Sequence, residues 1–247
     1  MTLIDTIALS LIALLLLTMP LFAVVSRGRE VDADVARRPT TVLLGSWVRD
    51  WLMWVIAPME RWFVRARVSP DLFNYLGAAF GLASGVAFAR DVLSLAGWFI
   101  LLGGAADIFD GRVARARGIA SSRGAFLDSS LDRFAEAFAF VGIAVYFTDR
   151  PWGALATALA LGGSMLVSYT RARGEALGVS CRGGVMQRAE RLVLLALAAL
   201  LDSAITSRLA WRPGTLLAWT VALIGAGSLG TAIYRTATIA KGLGTRD

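Results

Sequence analysis

Histidine is absent from the chain of 247 residues, and cysteine occurs once, at Cys181. A single cysteine forms no intrachain disulfide, so nothing in the composition argues for an oxidising compartment. Without histidine, the side chains that remain for metal binding are chiefly carboxylates, whose oxygen atoms favour hard ions such as Mg²⁺ or Mn²⁺ over zinc. These two absences point away from a disulfide framework and from a zinc site.

Lysine is almost absent as well. Of the 25 basic residues only Lys241 is a lysine, and the basic residues outnumber the 18 acidic ones to give a net charge of +7. No short internal repeat and no appended soluble domain is visible. In a chain that is 57% hydrophobic, we interpret the basic excess as membrane topology rather than nucleic-acid binding, because basic residues gather on the cytoplasmic side of membrane proteins.

Apolar runs long enough to cross a bilayer occur several times, and the mean hydropathy is +0.64. The sequence therefore predicts an all-α, polytopic membrane protein. Its N-terminal part, residues 1–68, is expected to contain a membrane helix over 3–25 with its N-terminus outside, a polar linker over 31–41, and an amphipathic helix over 47–68 in the cytoplasmic interface. Pro58 is expected to break this amphipathic helix.

The remaining residues, 69–247, are expected to form a core of six membrane spans. These spans are predicted over 72–89, 92–106, 126–147, 153–169, 192–201 with its flanks, and 216–233. Basic residues are concentrated in the segments that this layout assigns to the cytoplasm. The outer turns hold four of them: Arg90, Arg150, Arg208 and Arg212. This bias indicates that the arginine-rich loops face the cytoplasm.

Four aspartates interrupt the apolar sequence in its middle: Asp107, Asp110, Asp128 and Asp132. On helices, spacings of three and four residues bring the members of each pair to one face. Four carboxylates at the edge of a bilayer repel one another and are costly to desolvate, and a divalent cation is the usual remedy. We therefore predict that the four aspartates bind metal, and two ions that share carboxylates would suit phosphoryl transfer.

The complete pattern is D-x-x-D-G-x-x-A-R, eight further residues, and then G-x-x-x-D-x-x-x-D, from Asp107 to Asp132. It resembles the signature of the CDP-alcohol phosphotransferase family, which are integral membrane enzymes that join a CDP-linked lipid to an alcohol and release CMP. Every fixed position of the signature is present at the family's spacing. The resemblance implies a six-helix core preceded by an amphipathic helix, two Mg²⁺ or Mn²⁺ ions, a homodimer, and an active site that faces the cytoplasm from the inner (cytoplasmic) membrane.

The resemblance also implies roles for individual residues. Asp107, Asp110, Asp128 and Asp132 would bind the metal ions, and Asp132 would in addition act as the catalytic base on the acceptor hydroxyl. The nucleotide side would be formed by small residues, an arginine and the start of the first core span: Gly111, Ala114, Arg115, Gly124, Pro70, Asp71 and Asn74. Asn74 stands where the family usually has threonine, and asparagine can still donate and accept hydrogen bonds.

The acceptor side is expected in the arginine-rich loop after the fourth core span. The elements S-Y-T-R-A-R-G-E and R-A-E-R, which contain Arg171, Arg173, Arg188 and Arg191, are similar to those of phosphatidylinositol phosphate synthases within the family. If these arginines face the metal site, they would bind an anionic acceptor. Alternatively, they satisfy the positive-inside rule and bind lipid headgroups.

These observations lead to one principal hypothesis and two alternatives. The principal hypothesis is the transfer of a phosphatidyl group from CDP-diacylglycerol to a phosphorylated polyol, with inositol phosphate as the expected acceptor. The first alternative is a phosphatidylglycerophosphate synthase or another family enzyme with a different acceptor. The second is an ion-coupled membrane transporter that uses the four aspartates as an ion site.

Overall fold

A computed structural model describes residues 2–36 and 45–244, and these residues form ten helices and no strand. The first two helices, α1 (Leu3–Leu16) and α2 (Thr18–Val25), are separated only by Leu17, which itself has right-handed helical backbone angles. Together they span 23 residues that are mostly apolar, long enough to cross a bilayer. The predicted N-terminal membrane helix is therefore present.

The predicted linker contains a short helix, α3 (Ala33–Ala36), and the linker's last residues, 37–41, lie outside the described part of the chain. The amphipathic segment forms α4 (Ser46–Arg65) as one continuous helix. The predicted break at Pro58 is wrong. Pro58 lies on the exposed side of α4, where a helix loses one backbone hydrogen bond and bends without ending.

Six long helices follow at the places of the six predicted core spans. They are α5 (Pro70–Ala89), α6 (Leu93–Ala116), α7 (Ser122–Tyr146), α8 (Pro151–Ala176), α9 (Arg188–Arg208) and α10 (Thr215–Gly244). Within the described residues, α5, α6, α8, α10 and the N-terminal helix pair are apolar enough to be recognised as membrane spans by composition. The helices α7 and α9 are not, because each carries several charged side chains among its apolar residues.

The six core helices form a closed ring in the order α5, α6, α9, α10, α8, α7 and back to α5. Each neighbouring pair in this ring packs closely, whereas α6 and α7 contact each other little. The interior is apolar, and its largest fully buried side chains include Phe88, Phe140, Phe147, Leu217 and Ile224. The ring therefore provides a frame, and the charged residues at the end of α6, in the first half of α7 and at the start of α9 lie toward one end of it.

Backbone contact without intervening side chains joins α5 to α7. A Cβ atom on Gly85 of α5 would collide with the carbonyl oxygen of Phe138, and one on Gly142 of α7 would collide with the backbone of Gly85. Only glycine permits such an approach. The contact fixes the distance between α5 and α7, and thus the position of the acidic turns of α7.

Polar contacts dock the N-terminal helix onto the ring. The carboxylate of Asp5, which is 9% exposed, accepts hydrogen bonds from Ser94 Oγ of α6 at 2.6 Å and Ser203 Oγ of α9 at 3.0 Å. Trp98 Nε1 of α6 also donates to the carbonyl oxygen of Ala8 at 3.3 Å. The division of the chain into an N-terminal part and a core at residue 69 stays a prediction, but the two parts are in direct contact.

We predict that Gly142→Ala destabilises the protein by about 1 to 3 kcal/mol, because the new methyl group forces α5 and α7 apart. The matched control is Gly162→Ala in α8, where an added Cβ atom has no neighbour within 4 Å. Thermal unfolding of both variants in detergent checks the prediction. Equal melting temperatures for the two variants would contradict it.

Candidate active site

The four aspartates lie where α6 ends and α7 begins. No proline interrupts α6 between Asp107 and Ala116, so the helix continues through both aspartates of its pair. The next helix starts after Ser121, whose Oγ accepts a hydrogen bond from the backbone N–H of Gly124 at 3.1 Å and caps α7. Asp128 and Asp132 then lie one turn apart on α7.

The structure brings the predicted carboxylates together. Asp107, Asp128 and Asp132 each have an oxygen atom that lies within 4.8 Å of the others'. Asp110, which is 5% exposed, lies beside Asp128 and accepts a hydrogen bond from the backbone N–H of Gly111. A donor set of one buried and three half-buried carboxylates fits Mg²⁺ or Mn²⁺, because hard cations prefer oxygen ligands and would offset the mutual repulsion of the acids.

Arg188 lies inside the aspartate cluster. Its Nη1 donates to Asp107 Oδ1 at 2.7 Å and its Nη2 to Asp132 Oδ1 at 2.6 Å, so the first residue of α9 bridges α6 and α7. Its Nε is buried and makes no hydrogen bond with any described residue. The sequence pattern predicted Arg188 on the acceptor side but offered no signal for its direct contact with the aspartates.

A second arginine of α9 forms a buried ion pair one turn further into the ring. Arg191 and Glu136 are 2% and 4% exposed, and two hydrogen bonds of 2.7 and 3.2 Å join them. Arg191 also donates to the carbonyl oxygen of Met186 at 3.2 Å. Glu136 was missed as a site residue by the sequence reasoning, although it continues the four-residue spacing of Asp128 and Asp132. The pair fixes the start of α9 against α7.

A cleft between α5, α6, α7 and α9 opens beside the aspartate cluster. Glycines of α5 and α6 line it, and its polar lining consists of Ser84, Asp132, Glu136, Arg188 and Arg191. The cavity measures about 30 Å³ and its other lining residues are mostly apolar. Arg191 is already paired there with Glu136, so Asp132 and Arg188 are the groups of this cleft that belong to the aspartate cluster.

The residues predicted for the nucleotide lie at the same end of the ring. Arg115 lies over Gly111, where an added Cβ atom would approach its Nη1 to 3.0 Å. Asp71, in the first turn of α5, pairs with Arg123 at 2.6 Å. The other predicted members are the first residue of α5, a buried residue one turn later, and small residues of α6 and α7: Pro70, Asn74, Ala114 and Gly124. Their contact with nucleotide stays a prediction.

The other two predicted acceptor arginines lie on the exposed last turns of α8. Arg171 pairs with Glu175 of the same helix at 3.0 Å, and Arg173 is exposed. Neither has the buried setting of Arg188 or Arg191, and their role stays a prediction.

Comparison with known proteins agrees with this site. Residues 67–226 match the family model described as CDP-alcohol phosphatidyltransferase. The chain therefore belongs to the CDP-alcohol phosphatidyltransferase family, as the resemblance of its aspartate motif implied. It is an enzyme of membrane phospholipid synthesis with a carboxylate site for Mg²⁺ or Mn²⁺, and the transporter alternative is set aside.

Among its relatives is the phosphatidylinositol phosphate synthase of Streptomyces avermitilis, which is 32% identical over 225 residues covering 88% of this chain and 89% of the relative. The archaetidylinositol phosphate synthase of Methanothermobacter thermautotrophicus is 36% identical over 132 residues, which cover 53% of this chain and 66% of the relative.

Solved structures of the phosphatidylinositol phosphate synthase of Mycobacterium tuberculosis are similar to this fold. The structure with CDP-DAG bound has a TM-score of 0.64 at 28% identity and covers 74% of this chain and 92% of its own. The complex with manganese and citrate has a TM-score of 0.65 at the same identity and covers 74% and 87%.

We predict that Asp132→Asn lowers the rate of CMP release by about 100-fold or more, because it removes both a metal ligand and the proposed base. The matched control is Asp149→Asn, the same change at an exposed turn far along α7 from the site. CMP release from purified protein with saturating metal measures the effect, and size-exclusion chromatography checks the fold. Activity of Asp132→Asn close to that of the control would reject the role.

Proposed function

We propose that the protein transfers a phosphatidyl group from CDP-diacylglycerol to a hydroxyl of inositol phosphate and releases CMP. The observation that carries the proposal is the position of Arg188, which donates hydrogen bonds to Asp107 and Asp132 inside the aspartate cluster. A base beside a guanidinium group suits an acceptor that presents both a hydroxyl and a phosphate. Relatives named phosphatidylinositol phosphate synthase support the same acceptor.

In the proposed reaction, the acceptor oxygen attacks the β-phosphorus of the CDP-lipid. A new phosphorus–oxygen bond to the acceptor forms, and the bond between this phosphorus and the oxygen of CMP breaks. The hydroxyl proton passes to the carboxylate of Asp132. When bound, Mg²⁺ or Mn²⁺ supplies charge neutralisation for the diphosphate. The chain's own residues contribute orientation, which carries much of the acceleration in phosphoryl transfer.

On the donor side, Arg115, Gly111 and Gly124 are proposed to meet the nucleotide diphosphate. Both glycines lack a side chain next to the aspartates, so a phosphate can approach the two helices closely. The cytidine end of the donor is proposed to contact the start of α5. The contacting groups would be Pro70 and Asp71 in its first turn and the buried amide of Asn74. Ala114 adds a small surface beside Arg115.

On the acceptor side, the proposal assigns Arg188 and Arg191 to the inner wall of the pocket and Arg171 and Arg173 to its cytoplasmic mouth. The exposure of Arg173 suits a residue that meets an anionic substrate as it arrives from water. Arg188 already binds two carboxylates, so an acceptor phosphate would exchange with them rather than meet a free cation.

We propose that the protein lies in the inner (cytoplasmic) membrane. It would cross this membrane several times, with its active site facing the cytoplasm. Exposed arginines are numerous at the end of the ring that carries the aspartates, which supports this orientation. A homodimer is proposed on the family likeness.

We predict CMP release that requires Mg²⁺ or Mn²⁺ and CDP-diacylglycerol, with the highest kcat/KM for inositol phosphate in a panel that also contains inositol, glycerol 3-phosphate and serine. A chelator should abolish release, because the acidic cluster then lacks its counter-ions. A higher kcat/KM for glycerol 3-phosphate would identify glycerol 3-phosphate, and not inositol phosphate, as the acceptor. No release with any acceptor would reject the function.

Arg173→Gln should raise the KM for inositol phosphate about 10-fold, because one charge-assisted hydrogen bond to phosphate is lost. The KM for CDP-diacylglycerol should change less than about twofold, because lipid and acceptor bind to different residues. Arg212→Gln, at an exposed outer turn, is the matched control. An unchanged acceptor KM would remove Arg173 from the pocket.

A further inference from the structure

A segment of the N-terminal extension contacts α4 and the last turns of α6 beside the site. This segment, residues 29–36, is called the strap here. Asp50 of α4, which is 7% exposed, binds the strap at two points. Its Oδ1 accepts a hydrogen bond from the backbone N–H of Asp32 at 2.9 Å and lies 3.4 Å from Arg29 Nη2. The strap is therefore held against α4 before it reaches α6.

The strap meets α6 at Arg112, an unspecified position of the aspartate motif. The two Nη atoms of Arg112 donate to the two carboxylate oxygens of Asp32, each at 3.1 Å, which is the fork-like pairing of a guanidinium with a carboxylate. Its Nε donates to Glu60 Oε2 of α4 at 2.6 Å. The Arg112 side chain is only 14% exposed. Asp32 and Glu60 thus engage all three of its nitrogen atoms, and a third carboxylate, Asp34 of the strap, lies 3.5 Å from Nη1.

The Asp32 carboxylate is ionised in this arrangement. Partial burial alone would raise its pKa, but the hydrogen bonds and charge of Arg112 and the backbone hydrogen bonds from Asp34 and Val35 together outweigh burial, so the pKa lies below the ordinary value for aspartate. The neighbouring pair of Asp34 and Arg115 is different in kind, because its side chains are 30% and 47% exposed and such pairs contribute little.

Arg112 follows the metal-binding residue Asp110 by two positions, which places it on roughly the opposite side of the helix. The last turns of α6 therefore present aspartates to α7 on one side and Arg112 to α4 and the strap on the other. Because α6 and α7 contact each other little, their direct packing does not set the distance between their aspartates. That distance follows instead from the packing of α6 against α5 and α9, and from the polar contacts of Arg112 on the far side of its last turns.

We propose that Asp32 is a positioning residue of the enzyme: through Arg112 it holds the last turns of α6 in the orientation in which Asp107 and Asp110 meet the aspartates of α7. This rests on the proposed function in so far as the four aspartates are the metal site. The N-terminal extension is then part of the active-site scaffold rather than only a membrane anchor.

A double-mutant cycle on the full-length protein in detergent tests the inference. The variants are Asp32→Asn, Arg112→Gln and the two combined, and the measurement is Mn²⁺ binding by isothermal titration calorimetry. We expect Asp32→Asn to weaken Mn²⁺ binding about 10-fold, as loss of an outer-shell partner does in other metal sites. In the Arg112→Gln background the same change should have a clearly smaller effect, because the contacts that Asp32 then keeps are with backbone N–H groups of its own strap.

Two further variants separate positioning from general stability. Glu30→Gln removes one exposed carboxylate from the same strap and should bind Mn²⁺ as the wild type does. Asp32→Glu keeps the charge and should recover most of the lost affinity. Size-exclusion profiles and melting temperatures identify any variant that fails to fold, and the Asp32 and Glu30 variants remain readable if Arg112→Gln fails.

Wild-type Mn²⁺ affinity in Asp32→Asn would overturn the inference. So would an equal loss caused by Asp32→Asn in the wild-type and Arg112→Gln backgrounds. Failure of the proposed function has a different signature: a wild-type protein that binds Mn²⁺ but releases no CMP with any acceptor would reject the function, while the binding cycle would still decide the role of Asp32.

Discussion

Mutual repulsion among four carboxylates is the constraint on which this structure depends. Asp107, Asp110, Asp128 and Asp132 are held close together at the end of an apolar helix ring, where their charges are poorly screened. These negative charges require positive charge nearby. The protein supplies part of this positive charge through Arg188, which bridges Asp107 and Asp132. Divalent cations supply the rest when bound. The same acidity that makes the cluster costly makes it a strong site for such ions.

The surrounding helices can be understood as support for this cluster. Glycine contacts let α5 approach α7 at backbone distance, and the buried pair of Glu136 and Arg191 ties α7 to α9. A buried pair of this kind contributes less to net stability than to a defined geometry, because desolvation offsets much of the attraction. On the other side, Glu60 and the strap hold α6 through Arg112. The four aspartates therefore stand on helices that are each fixed from more than one direction.

The sequence predicted the helical class, the six core spans and the aspartate cluster, because each depends on local features. Apolar runs predict spans, and the three- and four-residue spacings of the aspartates place each pair on one helix face. The partners of Arg188 and Arg112 were beyond such reasoning. Arg188 lies 81 residues from Asp107, and Arg112 lies 80 residues from Asp32. Nothing local to an arginine indicates which of several distant carboxylates it will meet, so tertiary packing decides the pairing. Pro58 is the opposite case. A strong local rule predicted a break there, but the helix continues because Pro58 lies on its exposed side.

The docking of the first helix has a consequence for how the protein forms. Asp5 accepts hydrogen bonds from Ser94 and from Ser203, and Ser203 lies 198 residues after Asp5 in the chain. A ribosome delivers the first helix to the membrane long before it makes α9, so this carboxylate waits without its second hydroxyl for most of synthesis. Contacts between such distant parts of a chain form late. The docking of α1 is therefore complete only after α9 has been made.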